Sequence, residues 1–358
     1  MPTGSLISRR ALLGSAILAP LAAQLAACAR AVADRRVLLY SSVDQYLLGQ
    51  VLGIFRDQHG IDVAVVGDTE ATKTTGLAQR LLQEKGRPRA DVWWSSEPFH
   101  TIRLADQGIF EAYRSSAEDD FPDGWPAHYR AGDGTWYGFA LRARVIAYNT
   151  RRVDLETAPR RLADLVGSDW SGTLGMAHPE FGTTAGHMAF LADAWGLDAL
   201  LDWLRRLRRR GLRLYSGNSS VVRAVAQGEV DAGLTDTDDV HVAKTNGWPV
   251  EMVFEAMDDP GTSPWPSRGP LVIPNTVALV RGGPDPEGGR RLIDFLLSGY
   301  GEQLLAQSES RNTPVHPDVA AAHPGLIPPI RGGIAYERLA GSLPDVVREC
   351  ARVLDTPG

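Results

Sequence analysis

Apolar runs and amphipathic stretches follow one another along the chain in two series. The first series predicts strands over 37–40, 61–66 and 91–94, with helices over 46–55, 74–84 and 98–107. From about residue 162 a second series predicts strands over 174–177, 212–215, 232–235 and 250–254, and helices over 185–195, 197–209, 221–227 and up to 246. Strands that alternate with helices of this length are typical of a parallel sheet covered on both faces.

Two longer alternating segments, 136–149 and 271–280, separate these series from each other and from the last helices, which are predicted over 286–297, 302–307 and 334–353. Each is long enough to cross between two lobes, so the chain should leave the first lobe, build the second and return. We therefore expect an α/β protein with two Rossmann-like lobes joined by two crossover strands. The predicted divisions are 37–140 plus 275–320 for lobe one, 150–265 for lobe two, and 321–358 for a C-terminal helical segment.

Residues 1–27 have the pattern of a secretory signal peptide. Arg9 and Arg10 precede an apolar run over 11–19, and the small residues before Cys28 complete the pattern. The segment 25–28 resembles a lipobox, which would make Cys28 a lipidated first residue and anchor the protein to the membrane. A plain cleavage site near 31–33 is the alternative, and the arginine pair fits either twin-arginine or general secretory export.

Composition narrows the classes of partner. The 358 residues carry 37 Lys+Arg and 43 Asp+Glu, and the net charge of −6 argues against nucleic acid as a ligand. A length above about 300 residues favours two lobes over one core. The chain has two cysteines; because Cys28 would be lipidated or removed, Cys350 should pack as a small apolar group on a late helix. We expect a monomer.

Short polar segments follow several predicted strands, where the loops and helix N-termini of an open α/β sheet bind ligands. Hydroxyl, amide and carboxylate groups there could contact a solute, and the following helix offers free N–H groups to an anion. The simpler alternative is that each residue only caps a helix. The candidate ligand-binding residues of these segments are Ser41, Ser42, Thr69, Ser95, Glu97, Thr183, Thr184, Asn218, Ser219 and Asp236.

Arg142 and Arg144 are two positions apart on the first crossover segment, so their side chains share one face of a strand. Two guanidinium groups facing the cleft would suit a phosphate, phosphonate or carboxylate. The alternative is a structural ion-pair network with Asp238, Asp239 or Glu70 across the junction of the lobes.

Asp236, Asp238 and Asp239 crowd three carboxylates into four positions, and Glu70 follows a strand of the other lobe. Such a set repels itself unless a cation or a ligand amine neutralises it, and oxygen ligands suit ferric iron, calcium, magnesium or manganese. Glu70, Asp238 and Asp239 are therefore the candidate metal ligands. Helix capping by the aspartates is the alternative.

The order of several motifs over 37–315 resembles the ferric-iron-binding family of type II periplasmic solute-binding proteins. These motifs are 37–42, 90–97, 142–149, 226–234 and 311–315. The resemblance implies a Venus-flytrap protein outside the cytoplasm that delivers its cargo, ferric iron or a related hard cation, to the permease of an ABC importer. A small organic anion such as a phosphonate is the alternative cargo.

The chain departs from that family at the metal site. The resemblance implies an adjacent tyrosine pair after the strand ending at Leu234, but Asp238 and Asp239 stand there, and a histidine after the first strand is missing near Asp44. Glu70 is retained where the family offers a carboxylate.

An enzyme is the remote alternative. The segment 234–239 resembles the Asp-x-Asp strand end of magnesium-dependent haloacid-dehalogenase-like phosphotransferases, but it lies late in the second lobe instead of at the first strand. The sequence contains no Gly-x-Ser-x-Gly, His-Glu-x-x-His or Walker motif. We therefore predict a binding protein without catalytic residues.

Overall fold

The structure, a computed structural model, describes residues 36–68, 75–180, 182–257, 265–330 and 333–355. The predictions for the signal peptide at 1–27, the lipidation site Cys28, and the cleft residues Thr69 and Glu70 lie outside these ranges.

Lobe one begins with strands and helices in alternation. Its strands are β1 (Val37–Ser41), β2 (Val63–Gly67), β3 (Val92–Ser95) and the short β4 (Phe110–Glu111), and its helices are α1 (Gln45–His59), α2 (Thr75–Gln83) and α3 (Pro98–Asp106). The strand β1 pairs in parallel with β2 and β3. Helix α1 ends at Gly60, whose φ of 67° suits the left-handed cap that glycine adopts without a Cβ clash.

The first crossover segment forms β5 (Tyr137–Asn149), a strand of 13 residues that are all buried. The second forms β10 (Val272–Val280), which pairs with both β3 and β5 in the antiparallel direction. The first half of β5 pairs with β10, and the second half pairs with strands of lobe two. This shared strand joins the two lobes.

Lobe two repeats the alternation of lobe one. Its strands are β6 (Leu174–Ala177), β7 (Arg213–Tyr215), β8 (Ala232–Asp236) and β9 (Val250–Val253), and its helices are α4 (Gly182–Trp195), α5 (Leu197–Arg209), α6 (Asn218–Gln227) and α7 (Thr237–Thr245). Strand β6 pairs in parallel with β7 and β8, whereas β8 and β9 pair antiparallel with β5. The spatial order across the described sheet is β2-β1-β3-β10-β5-β8-β6-β7.

The chain ends in helices that cover both lobes. They are α8 (Pro286–Leu297), α9 (Gly299–Gln307), α10 (Pro317–Ala322) and α11 (Tyr336–Asp355). Helix α11 packs against α3 of lobe one and against α4 and α5 of lobe two. Cys350 on α11 is fully buried, as expected for a small apolar group, and burial raises the pKa of its thiol to about 12.

The fold agrees with the predicted α/β class, and the two crossover strands lie where the alternating segments predicted them. Strand β4 and helix α10 were not predicted, because elements of two and six residues carry too little periodicity to be recognised. Helix α9 begins at Gly299, three residues before the predicted start at Glu302, because the Ser298 hydroxyl caps it by accepting the N–H of Gly301. The residue limits of the lobes stay a prediction.

Candidate functional site

A cleft that is open to solvent lies at the carboxyl ends of the strands of both lobes. Lobe two supplies most of its wall through the first residues of α4, α6 and α7. The lining residues are Asp44, Ser96, Arg142, Ala177, Gly182, Thr183, Thr184, Ser216, Gly217, Asn218, Ser219, Asp236, Asp238 and Asp239. The described part of the cleft is therefore built from carboxylates, hydroxyls and helix N-termini with one guanidinium.

Asp236 is the most tightly held of these carboxylates. It ends β8 and precedes α7, but its side chain does not cap that helix. Instead, Oδ1 accepts a hydrogen bond of 2.8 Å from Arg144, and Oδ2 accepts bonds from Thr183 at 2.6 Å and Asn218 at 2.9 Å. Asp236 and Arg144 are 1% and 3% exposed, so this network is a preorganised wall of the cleft.

The contacts of Arg144 distinguish between a ligand-binding role and a structural ion pair. The guanidinium lies behind Asp236, where its Nη1 also approaches the side-chain oxygens of Thr183 at 3.3 Å and Asn218 at 3.2 Å. Among the described residues Arg144 does not line the cleft. Arg144 thus belongs to an ion-pair network, and among the described residues its carboxylate partner is Asp236 and not Asp238 or Asp239 as the sequence suggested.

Arg142 bridges the two lobes. Its Nη1 donates to Oδ2 of Asp238 at 2.7 Å, its Nε lies 3.6 Å from Oδ2 of Asp236, and its Nη2 donates to the backbone carbonyl of Ser96 in lobe one. Burial opposes the charged guanidinium, but attraction from Asp238 and Asp236 outweighs burial and raises the pKa of Arg142 above its ordinary value. Arg142 therefore stays charged inside the acidic wall.

Asp238 and Asp239 occupy the first turn of α7, where the helix dipole favours negative charge. One carboxylate oxygen from each of Asp236, Asp238 and Asp239 lies within 4.8 Å of the others. Burial raises the pKa of Asp238, and the neighbouring Asp236 raises it further, whereas Arg142 lowers it. This geometry brings together the three aspartates that the sequence singled out.

Three serines at the ends of β1 and β3 turn inward. Ser41 accepts the N–H of Val43, and Ser42 accepts the N–H of Ser96 at 3.0 Å and lies 3.5 Å from the hydroxyl of Ser95. Ser41, Ser42 and Ser95 are at most 4% exposed, and none of them lines the cleft. Their hydroxyls hold the β1 and β3 turns against each other.

Glu97 also serves the fold. Its carboxylate accepts the N–H groups of Phe99 at 2.6 Å and of His100, which caps the N-terminus of α3. The residue is 1% exposed and does not line the cleft. The capping alternative thus describes Glu97, because a carboxylate three positions before an N–H at a helix start satisfies that group directly.

Thr183, Thr184, Asn218 and Ser219 all line the cleft, as the strand-end pattern predicted for a ligand site. Thr183 and Asn218 direct their side chains to Asp236, and the Thr184 hydroxyl lies 3.4 Å from the side-chain oxygen of Asn218. Gly217 precedes α6 and has no side chain that could cap this helix. The N-terminus of α6 therefore offers backbone N–H groups beside these side chains.

Sequence reasoning did not select six lining residues: Asp44, Ser96, Ala177, Gly182, Ser216 and Gly217. Ser96 lies between two candidates, and only the turn after β3 decides which of the three faces the cleft. Asp44 was visible in the sequence as the residue near the missing histidine. Its position after the first strand, near the place of the missing histidine, is the sequence signal that could have selected Asp44.

The comparison with known families decides the class of this protein. The model of the bacterial extracellular solute-binding protein family matches residues 89–333. The chain belongs to this family. It is an extracytoplasmic solute-binding protein, a class that delivers ligands to ABC transporter permeases.

Individual relatives support the resemblance seen in the motifs. The chain is 26% identical to iron uptake protein A1 of Synechocystis over 277 residues, which are 77% of this chain and 74% of the relative. It is 25% identical over 247 residues to a putative 2-aminoethylphosphonate-binding periplasmic protein of Salmonella typhi, covering 68% of this chain and 67% of that one.

The fold has the same support. The crystal structure of iron-bound HitA from Pseudomonas aeruginosa is similar with a TM-score of 0.74 and 25% identity, over 88% of this chain and 99% of that one. The type II periplasmic-binding-protein fold and the resemblance to ferric-iron-binding proteins are confirmed. Within the described residues, every helix is too short or too polar to cross a bilayer.

Proposed function

We propose that this solute-binding protein captures a hard cation, ferric iron or a close relative, in the cleft between its lobes and delivers it to an ABC importer. The observation that carries the proposal is the set of three carboxylates, Asp236, Asp238 and Asp239, with oxygens within 4.8 Å of one another on the cleft wall. Carboxylate oxygens are ligands that hard cations prefer.

The charge of the cleft supports a cation. Four carboxylates line the described cleft, against the guanidinium of Arg142 and, behind Asp236, that of Arg144. If these six groups are ionised, negative charges outnumber positive ones by two. A cargo of net positive charge complements this surface, whereas a free anion meets repulsion from Asp238 and Asp239.

The helix N-termini support a bound anion beside the cation. The first residues of α4 and α6 line the cleft, and a helix N-terminus binds oxyanions through its free N–H groups and its dipole. A small oxyanion there would complete the coordination of a trivalent cation for which Asp238 and Asp239 supply two ligands. Relatives named for iron uptake and iron binding agree with this cargo.

A second cargo, an amino-bearing phosphonate, is favoured by one observation. The cleft places anion-binding helix N-termini on one side and the acidic first turn of α7 on the other, which matches the two ends of an aminoalkylphosphonate. A relative bears the name of such a ligand. Arg142 would then contact the phosphonate.

One experiment separates the cargoes. Metal retained by purified protein and calorimetric titrations with ferric citrate and with 2-aminoethylphosphonate are compared for wild type and for Asp238→Asn plus Asp239→Asn. For a cation cargo, the double variant should lose metal affinity by more than about 100-fold, because amides cannot replace the lost negative charges.

A matched control variant tests whether the loss of metal affinity is specific to the cleft carboxylates. Asp202→Asn plus Asp345→Asn removes two exposed carboxylates that do not line the cleft and should leave metal affinity unchanged. Unchanged metal content in the cleft variant would contradict the cation cargo. Phosphonate binding that survives chelator would instead establish the organic ligand.

We further propose that Cys28 carries the lipid that holds the protein at the membrane and that the protein acts as a monomer. The lipobox-like segment 25–28 supports the anchor.

The remote alternative, a magnesium-dependent phosphotransferase, would turn over phosphate esters. Its nucleophile would have to be an aspartate such as Asp236. The carboxylate of Asp236 is a poor nucleophile, because it already accepts hydrogen bonds from Arg144, Thr183 and Asn218.

A further inference from the structure

Arg142 occupies the place in the acidic wall where a cation would bind. Its guanidinium donates to Asp238 at 2.7 Å and lies 3.6 Å from Asp236, so it contacts two of the three clustered carboxylates. The side chain is nine-tenths buried, and its Nε has no hydrogen-bond partner among the described residues. A positive charge from the protein itself therefore already offsets part of the negative charge of these carboxylates.

We infer that Arg142 is a built-in competitor of the cation cargo, which must displace it from Asp238 in order to bind. The inference rests on the proposed cation cargo and deepens it by assigning the residue that sets cation affinity. An arginine that instead helped to hold the cargo would do so by binding an anion. Removing its charge would then weaken cargo binding, whereas removing the charge of a competitor would strengthen cation binding.

The geometry allows this exchange at low cost to the fold. Oδ2 of Asp238 is occupied by Arg142, and its Oδ1 is buried without a hydrogen-bond partner among the described residues. When a cation takes the carboxylate, Arg142 keeps its bond to the carbonyl of Ser96 and its proximity to Asp236. The guanidinium thus moves off one partner without becoming an unpaired buried charge.

Displacing Arg142 from Asp238 would also change a contact between the two lobes. Ser96 belongs to lobe one and Asp238 to lobe two, and Arg142 lies on β5 where its pairing changes from β10 to β8. In the described structure Arg142 therefore connects the lobes. A cargo that replaces Arg142 at Asp238 would replace an internal contact between the lobes with its own.

The test measures ferric iron affinity by competition with citrate for wild type, Arg142→Gln and Arg142→Lys. Removing the competing charge should tighten iron binding by about tenfold or more, whereas the lysine variant, which keeps the charge, should stay near wild type. Arg206→Gln is the matched control, because it removes an exposed arginine that pairs with Asp202 away from the cleft. It should not change affinity.

A double variant tests whether Arg142 affects iron affinity through its contact with Asp238. In the Asp238→Asn background, where iron binding is already weaker, Arg142→Gln should not tighten it, since the contact for which the cation competes is gone. Iron binding that is unchanged or weaker in Arg142→Gln, with wild type binding iron, would overturn the competitor role alone. Failure of wild type and every variant to bind iron would overturn the cargo and the competitor role together.

A measurement on the wild-type protein covers the case in which Arg142→Gln does not fold. Gallium, a diamagnetic trivalent cation, is added while the guanidinium signals of Arg142 are followed by NMR. Slow exchange of the Nη1 protons, expected from the bond to Asp238 in the metal-free protein, should be lost on gallium binding. Persistence of that protection in the gallium-loaded protein would refute the displacement.

Discussion

Gly186 shows how a single residue sets the distance between helices of the two lobes. It lies in α4 of lobe two, and a Cβ built on it would overlap Cε2 of the Phe99 ring, in α3 of lobe one. Phe99 is 1% exposed and also faces the Tyr336 ring, with centroids 6.4 Å apart, so the ring has little room to move. Close packing makes such an added methyl group costly.

We predict that Gly186→Ala lowers the free energy of unfolding by about 1 to 3 kcal/mol, because overpacking must displace the Phe99 ring or one of the helices. Urea denaturation measures the change. Gly53→Ala is the control, because a Cβ added to Gly53 in α1 would have nothing within 4 Å. The control should raise stability by up to about 1 kcal/mol through helix propensity; equal losses in both variants would disprove the packing argument.

At the scale of elements, Glu302 connects α9 to β5 and to the segment before α10. Its fully buried carboxylate accepts the N–H groups of Ala140 at 2.8 Å, Val315 at 2.7 Å and His316. Ala140 has a φ of 43°, in the left-handed region that a residue with a Cβ seldom adopts. Glu302 thus holds β5 where its pairing with β10 shifts register.

Burial raises the pKa of Glu302 to about 7, although the three backbone N–H groups lower it. Because the pKa is higher in the folded than in the unfolded chain, the folded protein binds more protons between about pH 4.5 and 7. We therefore predict that Glu302 makes stability fall as pH rises through this window, by up to about 3 kcal/mol. Urea unfolding from pH 4 to 8 measures it.

Glu302→Gln should flatten that pH dependence, because the amide does not titrate, even if the lost acceptor lowers stability throughout. Glu309→Gln, an exposed position after the same helix, should keep the wild-type slope. A Glu302→Gln protein with the wild-type slope between pH 4.5 and 7 would place the titrating group elsewhere.

At the scale of the whole molecule, the cleft is completed from both lobes. Lobe one supplies Asp44 and Ser96, lobe two supplies Asp238, Asp239 and the helix N-termini, and Arg142 lies on the shared strand between them. A ligand that contacts both walls gains most of its contacts, and excludes water, only when the lobes approach each other.

Small-angle scattering should therefore show a smaller radius of gyration for the iron-loaded protein than for the metal-free protein. The Asp238→Asn plus Asp239→Asn variant, mixed with the same ferric citrate, should keep the metal-free value because it lacks the ligands that hold the closed state. A radius that does not change when wild type is saturated with iron would contradict closure.

Local sequence patterns were sufficient to predict the class of fold and the order of its main elements. Apolar alternation over 136–149 and 271–280 is a local property, and it placed both crossover strands within one residue of β5 and β10. The motif order over 37–315 was enough to identify the family, because strand ends and turns carry their residue preferences locally. The replacement of the tyrosine pair by Asp238 and Asp239 was likewise visible without a structure.

Which polar residues face the cleft depends on the folded chain. Glu97 and Ser95 stand at a strand end as Ser96 does, but the turn after β3 directs the first two into capping and internal bonds. Asp236 and Asp238 look alike in the sequence and both line the cleft, yet Asp236 is held by Arg144, Thr183 and Asn218, whereas Asp238 pairs with Arg142. The partners of a buried charge come from distant parts of the chain, and local patterns do not encode those distances.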